Sequence, residues 1–112
     1  MRVVTHPDET THIKVDVCHR ALARLNTEHT PSHIVLDKDD YEERCDLLNE
    51  FRDIAFSWHR GRPTTSTPQY LSKIMSDLTC SNLIWFSRKA IEYPEWLFIW
   101  ILAHECRHVF QS

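Results

Sequence analysis

The 112 residues of this chain have an ordinary composition for a folded protein, with 42% hydrophobic and 26% charged residues. This length predicts a single domain, residues 1–112, because single domains commonly contain about 100 to 200 residues. The formal charge of −3, with lysine and arginine scattered along the chain, gives no electrostatic reason to expect nucleic acid or an anionic membrane as a partner.

The sequence has no pattern typical of a membrane anchor or a secretory leader. The longest apolar run, residues 96–103, has eight residues, whereas a membrane span needs roughly 20. The N-terminus turns acidic at Asp8 before any apolar stretch develops, so we expect no signal peptide. The cysteines form no C-x-x-C pair and fall mostly in apolar segments, which favours reduced core thiols in a cytoplasmic protein. They are Cys18, Cys45, Cys80 and Cys106.

The first part of the chain predicts strands and one helix. Residues 13–17 alternate as in a strand, whereas the apolar residues of 18–25 have helical spacing. We interpret them as a short strand that runs into a helix. The alternative is a single helix that opens at Pro7 with an acidic first turn. Residues 33–37 are short, apolar and partly β-branched, which predicts a buried strand.

The middle of the chain predicts two helices and a strand. Residues 41–58 carry a helical apolar stripe after a capping residue, Asp40, and this helix is expected to end near Gly61. A polar loop follows, and a second helix is expected to begin at Thr67-Pro68. Residues 83–86 predict another strand.

A charged connector then leads to a final helix from Pro94 to about Gln111. Residues 96–103 are apolar around the whole helix circumference, so we expect this helix to be sandwiched between other elements. The pattern as a whole predicts an α+β fold, with a small sheet and about four helices.

The final helix carries an H-E-x-x-H motif at His104-Glu105-Cys106-Arg107-His108. Four residues are about one turn, so both imidazoles can reach one metal ion at roughly 2.0 to 2.1 Å, and zinc is the natural occupant. Glu105 lies about 100° around the helix from His104 and can hold a metal-activated water as its general base. We expect Cys106 to pack inward.

The strand, the connector and the motif helix together resemble the active-site half of a zincin metallopeptidase, and the resemblance covers residues 83–111. It implies a zinc-dependent peptidase or amide hydrolase that acts on a peptide or protein, with Zn2+ as cofactor. His104 and His108 would be the metal ligands and Glu105 the catalytic base. The resemblance also implies that residues 83–86 form a sheet edge along which the substrate lies; an interior core strand is the alternative.

The motif supplies two ligands, whereas a catalytic zinc normally has three from the protein. In metzincins and thermolysin-like enzymes the third follows the motif, and this sequence ends at Ser112. Either the chain is a truncated form or the ligand lies upstream, as in peptide deformylases, where a cysteine loosely comparable to Cys80 precedes the helix. A second chain or waters are further sources. The remaining donors, for which structural roles are favoured, are His59, Asp77 and Glu92.

The alternative function is that of a non-catalytic interaction protein, in which the end of the helix serves folding or partner contact. A truncated, inactive zincin-like fragment belongs to the same class. The tryptophans are expected to pack in the core rather than to stack on a ligand. They are Trp58, Trp85, Trp96 and Trp100. The oligomeric state is left open by the sequence.

Overall fold

The computed structural model describes residues 2–5, 8–24, 30–37, 54–60 and 69–111. Within these ranges the chain forms four strands and four helices, in agreement with the predicted α+β class. In chain order they are β1 (Arg2–Thr5), α1 (Glu9–Arg24), β2 (His33–Leu36), β3 (Ala55–His59), α2 (Gln69–Ser76), β4 (Asn82–Phe86), α3 (Arg88–Ile91) and α4 (Glu95–Gln111).

The strands form one mixed sheet in the order β1-β2-β4-β3. β1, β2 and β4 are parallel, and β3 runs antiparallel to β4. β4 is therefore an interior strand, with its Trp85 opposite Val35 on one side and Phe56 on the other. The expectation that residues 83–86 form a sheet edge is wrong, and the alternative is confirmed. Residues 83–86 are all buried, which is typical of a strand covered on both faces.

Helices cover both faces of this sheet. On one face, α1, α3 and α4 pack against a cluster that includes Ile84 and Phe86. On the other, Leu71 and Met75 of α2 pack against a cluster that includes Trp85. Alternate residues of β4 therefore serve two separate cores.

α1 is a single helix, so the predicted strand at residues 13–17 is wrong and the competing prediction is confirmed. Asp8 caps it, because Oδ1 accepts hydrogen bonds from the backbone N–H and the hydroxyl of Thr11, both at 2.8 Å. Val17 and Leu22 are buried, whereas Ile13 is 53% exposed. The alternation of residues 13–17 suggested a strand, but Ile13 does not belong to the core.

β3 lies where the sequence predicted the end of a helix. Residues 55–59 pair with β4, so the helix expected over residues 41–58 is wrong from Ala55 onward; the part of it before residue 54 lies outside the described residues. Phe56 and Trp58 pack into the cluster beneath α2, whereas Ala55 packs into the cluster beneath α4. This period of two is a strand signal.

The other elements lie close to their predicted positions. β2 falls within residues 33–37, α2 begins at Gln69, and α4 ends at Gln111. The expected connector contains the one-turn helix α3, which Ser87 caps by accepting a hydrogen bond from the backbone N–H of Ala90. The chain turns from β4 into α4 through this short helix.

Candidate metal centre

α4 presents one face to the sheet and to α1. It follows Pro94, whose carbonyl accepts hydrogen bonds from the backbone N–H groups of Leu97 and Phe98. The Phe98 ring lies 4.5 Å from that of Phe86, and the Lys14 ammonium lies 5.6 Å from its centroid. Through these contacts Phe98 anchors α4 to β4 and to α1. The buried residues of α4 are Phe98, Ile101, Leu102, Glu105, Cys106 and Val109.

The opposite face of α4 is exposed. Trp96 is 71% exposed and Trp100 is 54% exposed, so the expectations that this helix is sandwiched and that both tryptophans pack in the core are wrong. A helix that lies on one side of a sheet buries only one stripe, and an indole ring has a polar N–H that suits a partly wet surface. Trp85, by contrast, is fully buried as predicted.

His104 and His108 lie one turn apart beside this exposed face, and their Nε2 atoms are 3.0 Å apart. Two imidazoles bound to one tetrahedral zinc at about 2.0 to 2.1 Å would place those atoms roughly 3.3 Å apart. The ring centroids are 4.6 Å apart and the ring planes meet at 77°. The two nitrogens are thus within hydrogen-bond distance of each other, and a shared ion would move them apart by roughly 0.3 Å and replace that hydrogen bond. The ligand role of both residues stays a prediction.

Trp100 stacks on His104, with ring centroids 5.7 Å apart and an interplanar angle of 19°. With Trp96 and His108, these residues form a row along α4 at intervals of four, which we call the aromatic row. The H-E-x-x-H motif alone does not reveal this row, because its sequence signal is the spacing of residues 96, 100, 104 and 108. A shallow depression beside the row is lined by Trp100, Ala103, His104 and Arg107.

Glu105 is 1% exposed and belongs to the buried face of α4. It lies about 60° around the helix from His108 and about 100° from His104, given roughly 3.6 residues per turn. Glu105 therefore lies on the side of the histidines that faces the core. Its role as general base stays a prediction.

Cys106 packs inward, as predicted, and is 6% exposed. Burial raises the pKa of its thiol to about 12, with a smaller contribution from the charge of Glu105. Burial also raises the pKa of Cys18 to about 12, helped by the neighbouring Cys106. Cys80 is a buried free thiol as well, and Cys45 lies outside the described residues. The thiol inside the motif therefore lies in the core, on the side of α4 away from the histidine pair.

The other donors suggested by the sequence do not join the histidine pair. Across the described ranges, no group of three or more His, Cys, Asp or Glu residues is arranged to hold a metal ion. Cys80 lies in the cluster beneath α2, across the sheet from α4. Asp77 accepts hydrogen bonds within its own turn, and Glu92 forms an ion pair with α3. His59 ends β3, half-buried.

Comparisons with protein-family models, with curated proteins and with solved structures give no match for this chain. The likeness to zincins therefore depends on the motif residues of α4 and their setting. In the part of the chain that the structure describes, no helix is long and apolar enough to cross a membrane.

Proposed function

We propose that this chain is a zinc-dependent peptidase or amide hydrolase in which His104 and His108 hold the metal and Glu105 is the general base. The observation that carries the proposal is that the two Nε2 atoms face each other, 3.0 Å apart across a hydrogen bond, so that a small outward turn of the rings would let one ion take the place of that bond. The proposed substrate is a peptide or protein, and the proposed compartment is the cytoplasm, where buried reduced thiols persist.

A zinc ion at this pair would act as a Lewis acid and lower the pKa of a bound water towards about 7. The chain's own residues supply position and proton transfer. Phe98 and the other buried residues hold α4 against the sheet, and Trp100 holds the plane of the His104 ring. The Glu105 carboxylate would accept the proton from the attacking water and pass it to the leaving amine.

A second candidate is a non-catalytic protein that uses α4 for partner contact. Two observations favour it: the burial of Glu105, which is only 1% exposed, and the exposure of Trp96 and Trp100 on the opposite face. A general base must meet the water that it deprotonates, so a carboxylate confined to the core would leave the metal without that assistance. The two candidates differ in whether Glu105 is needed for a reaction.

Replacing the carboxylate by its isosteric amide distinguishes them. We expect Glu105→Gln to retain zinc and to lose peptide hydrolysis by about 100-fold or more, the usual contribution of a general base. The assay measures cleavage of an unstructured peptide mixture by zinc-loaded protein. Glu9→Gln, at an exposed position in the first turn of α1, is the matched control and should be fully active.

If Glu105→Gln cleaves as fast as the wild-type protein, Glu105 is not the base. If the zinc-loaded wild-type protein cleaves no peptide while it binds zinc, the hydrolase proposal is wrong and the non-catalytic candidate takes its place.

A further inference from the structure

Ser32, the residue directly before β2, connects three strands of the sheet. Its carbonyl accepts a hydrogen bond from the backbone N–H of Arg2 at 2.9 Å. Its own backbone N–H donates to Oδ1 of Asn82 at 2.7 Å, and its hydroxyl donates to the carbonyl of Asn82. The beginnings of β1, β2 and β4 are therefore held together through one serine.

The Ser32 hydroxyl is fully engaged by β4. A hydroxyl group has one proton and two lone pairs. The proton goes to the Asn82 carbonyl, and the oxygen accepts hydrogen bonds from the backbone N–H groups of Ser81 and Asn82, both at 3.1 Å. Nδ1 of His33 lies 3.1 Å from the same oxygen. This contact suits a neutral ring whose Nδ1 lone pair shares the hydroxyl proton, whereas a protonated ring would direct an N–H at lone pairs already in use.

The surroundings of His33 also disfavour a charge on its ring. The residue is 3% exposed, and a buried charge is costly unless it is paired. Arg2 lies directly opposite it in the register of β1 and β2, where like charges repel each other. The turn after α2 contributes the carboxylate of Asp77 and the buried thiol of Cys80. Arg60 donates to the carbonyls of both.

The net effect of these groups is to favour the neutral ring. Burial, followed by the charge of Arg2, lowers the pKa of His33 below its ordinary value of about 6.5. The charge of the N-terminal ammonium group adds to this effect, and Asp77 opposes it. Departure of β1 would remove Arg2 and admit water to the ring, so that the pKa would return towards its ordinary value. Opening of the β1–β2 pair is therefore coupled to uptake of a proton.

β1 is the strand that such a proton would displace most easily. It has four residues and is an outer strand of the sheet, whereas β2 and β4 are interior strands. Local opening is least costly where few buried contacts are lost. We propose that protonation of His33 in mild acid releases β1 from the edge of the sheet. This inference goes beyond the proposed function, since it involves neither the metal nor Glu105.

The pH range of this release follows from the direction of the shift. Because the released state binds more protons, β1 is held at neutral pH and is held less tightly as the pH falls below about 6.5. At pH 5.5 we expect the protection of the β1 amides to be lower than at pH 7.5 by about fivefold or more. The amides of α4 should keep their protection, because α4 packs on the other face of the sheet from His33.

Hydrogen exchange of the full chain, followed by mass spectrometry at both pH values and corrected for the intrinsic effect of pH, tests the proposal. His33→Asn should keep β1 protected at pH 5.5, because its amide oxygen accepts the Ser32 hydroxyl proton and does not ionise. His19→Asn, at an exposed position on α1, is the matched control and should lose protection as the wild type does. Equal loss in His33→Asn, no loss in the wild type, or a loss that extends equally to α4 would overturn the proposal.

Two further measurements apply if His33→Asn does not fold. Arg2→Gln removes the opposing charge at an exposed position and should lose less protection of β1 at pH 5.5 than the wild type. In an NMR titration of the wild type, the His33 ring and the β1 amides should change together, with a midpoint below about 6.5. A His33 midpoint at or above this value, or the same loss of protection in Arg2→Gln as in the wild type, would contradict the proposal.

Discussion

Three carboxylates of this chain show how a neighbouring group sets the role of a charged residue. Asp8 caps α1 and forms an ion pair with Arg88. Asp37 is buried and accepts a hydrogen bond from the indole Nε1–H of Trp85 at 2.9 Å. Glu105 lies on the core side of the histidine pair. The first two have structural partners that account for them, whereas Glu105 adjoins the two histidines for which we propose a metal-binding role.

The sequence predicted Glu105 and both histidines as a motif, because their spacing on a helix is fixed by its geometry. It did not predict how far the carboxylate would be buried. Burial depends on which face of α4 meets the sheet, and residues 96–103 are apolar on every side. Spacing within one helix is a local property, whereas orientation is set by the surrounding core.

Acid should weaken the contribution of Asp8 to stability. Hydrogen bonds from Thr11 and then the Arg88 guanidinium hold the pKa of Asp8 well below its ordinary value. A carboxyl group with a lowered folded-state pKa stabilises the fold above its unfolded-state pKa of about 3.9, and this contribution is lost as the pH falls further. We therefore expect Asp8→Asn to lower the urea midpoint at pH 7 and to differ less from the wild type at pH 3.

The control for this experiment is Asp16→Asn, which removes one carboxylate from an exposed position of the same helix. A gap between wild type and Asp8→Asn that stays constant from pH 7 to pH 3 would contradict the assigned role of Asp8.

The sequence predicted well those helices and strands whose apolar residues follow a single periodicity, either helical or extended. β2 and β4 each contain an uninterrupted apolar run after a polar first residue, and α4 has a clear beginning at Pro94. It failed where two periods overlap, in α1, and where an alternating segment adjoined a helical stripe, in β3. Residues 55–59 form a strand because they pair with β4. A local sequence pattern does not reveal such long-range pairing.

The two faces of α4 should respond differently to truncation. Phe98→Ala removes a fully buried ring that touches Phe86 and lies beneath Lys14, and it should lower the free energy of unfolding by about 3 to 5 kcal/mol. Trp96→Ala removes a larger ring from the exposed face of the same helix and should change it by at most about 0.5 kcal/mol. Chemical denaturation measures both. Similar losses in the two variants would mean that the exposed face is packed against other residues.

At the scale of the whole molecule, the α+β class followed from the mixture of strand and helix patterns, but the strand order did not. In the order β1-β2-β4-β3, the strand that precedes the motif helix, β4, is an interior strand, and β3 is the outer strand next to it. The predicted donors are also separated by the sheet itself, because Cys80 belongs to the core cluster on one face and α4 packs on the other. A ligand set assembled from distant segments depends on topology, which the spacing of residues along the chain does not encode.

The claim on which the proposed function depends is that His104 and His108 together hold a zinc ion. Elemental analysis of purified, dialysed protein tests it most directly, in the wild type, His104→Ala, His108→Ala and the control His19→Ala. We expect the wild type and His19→Ala to retain about one zinc ion per chain. The zinc content of both motif variants should be lower by about tenfold or more, because a single imidazole binds zinc poorly. Equal zinc content in all four proteins, or none in the wild type, would contradict the claim.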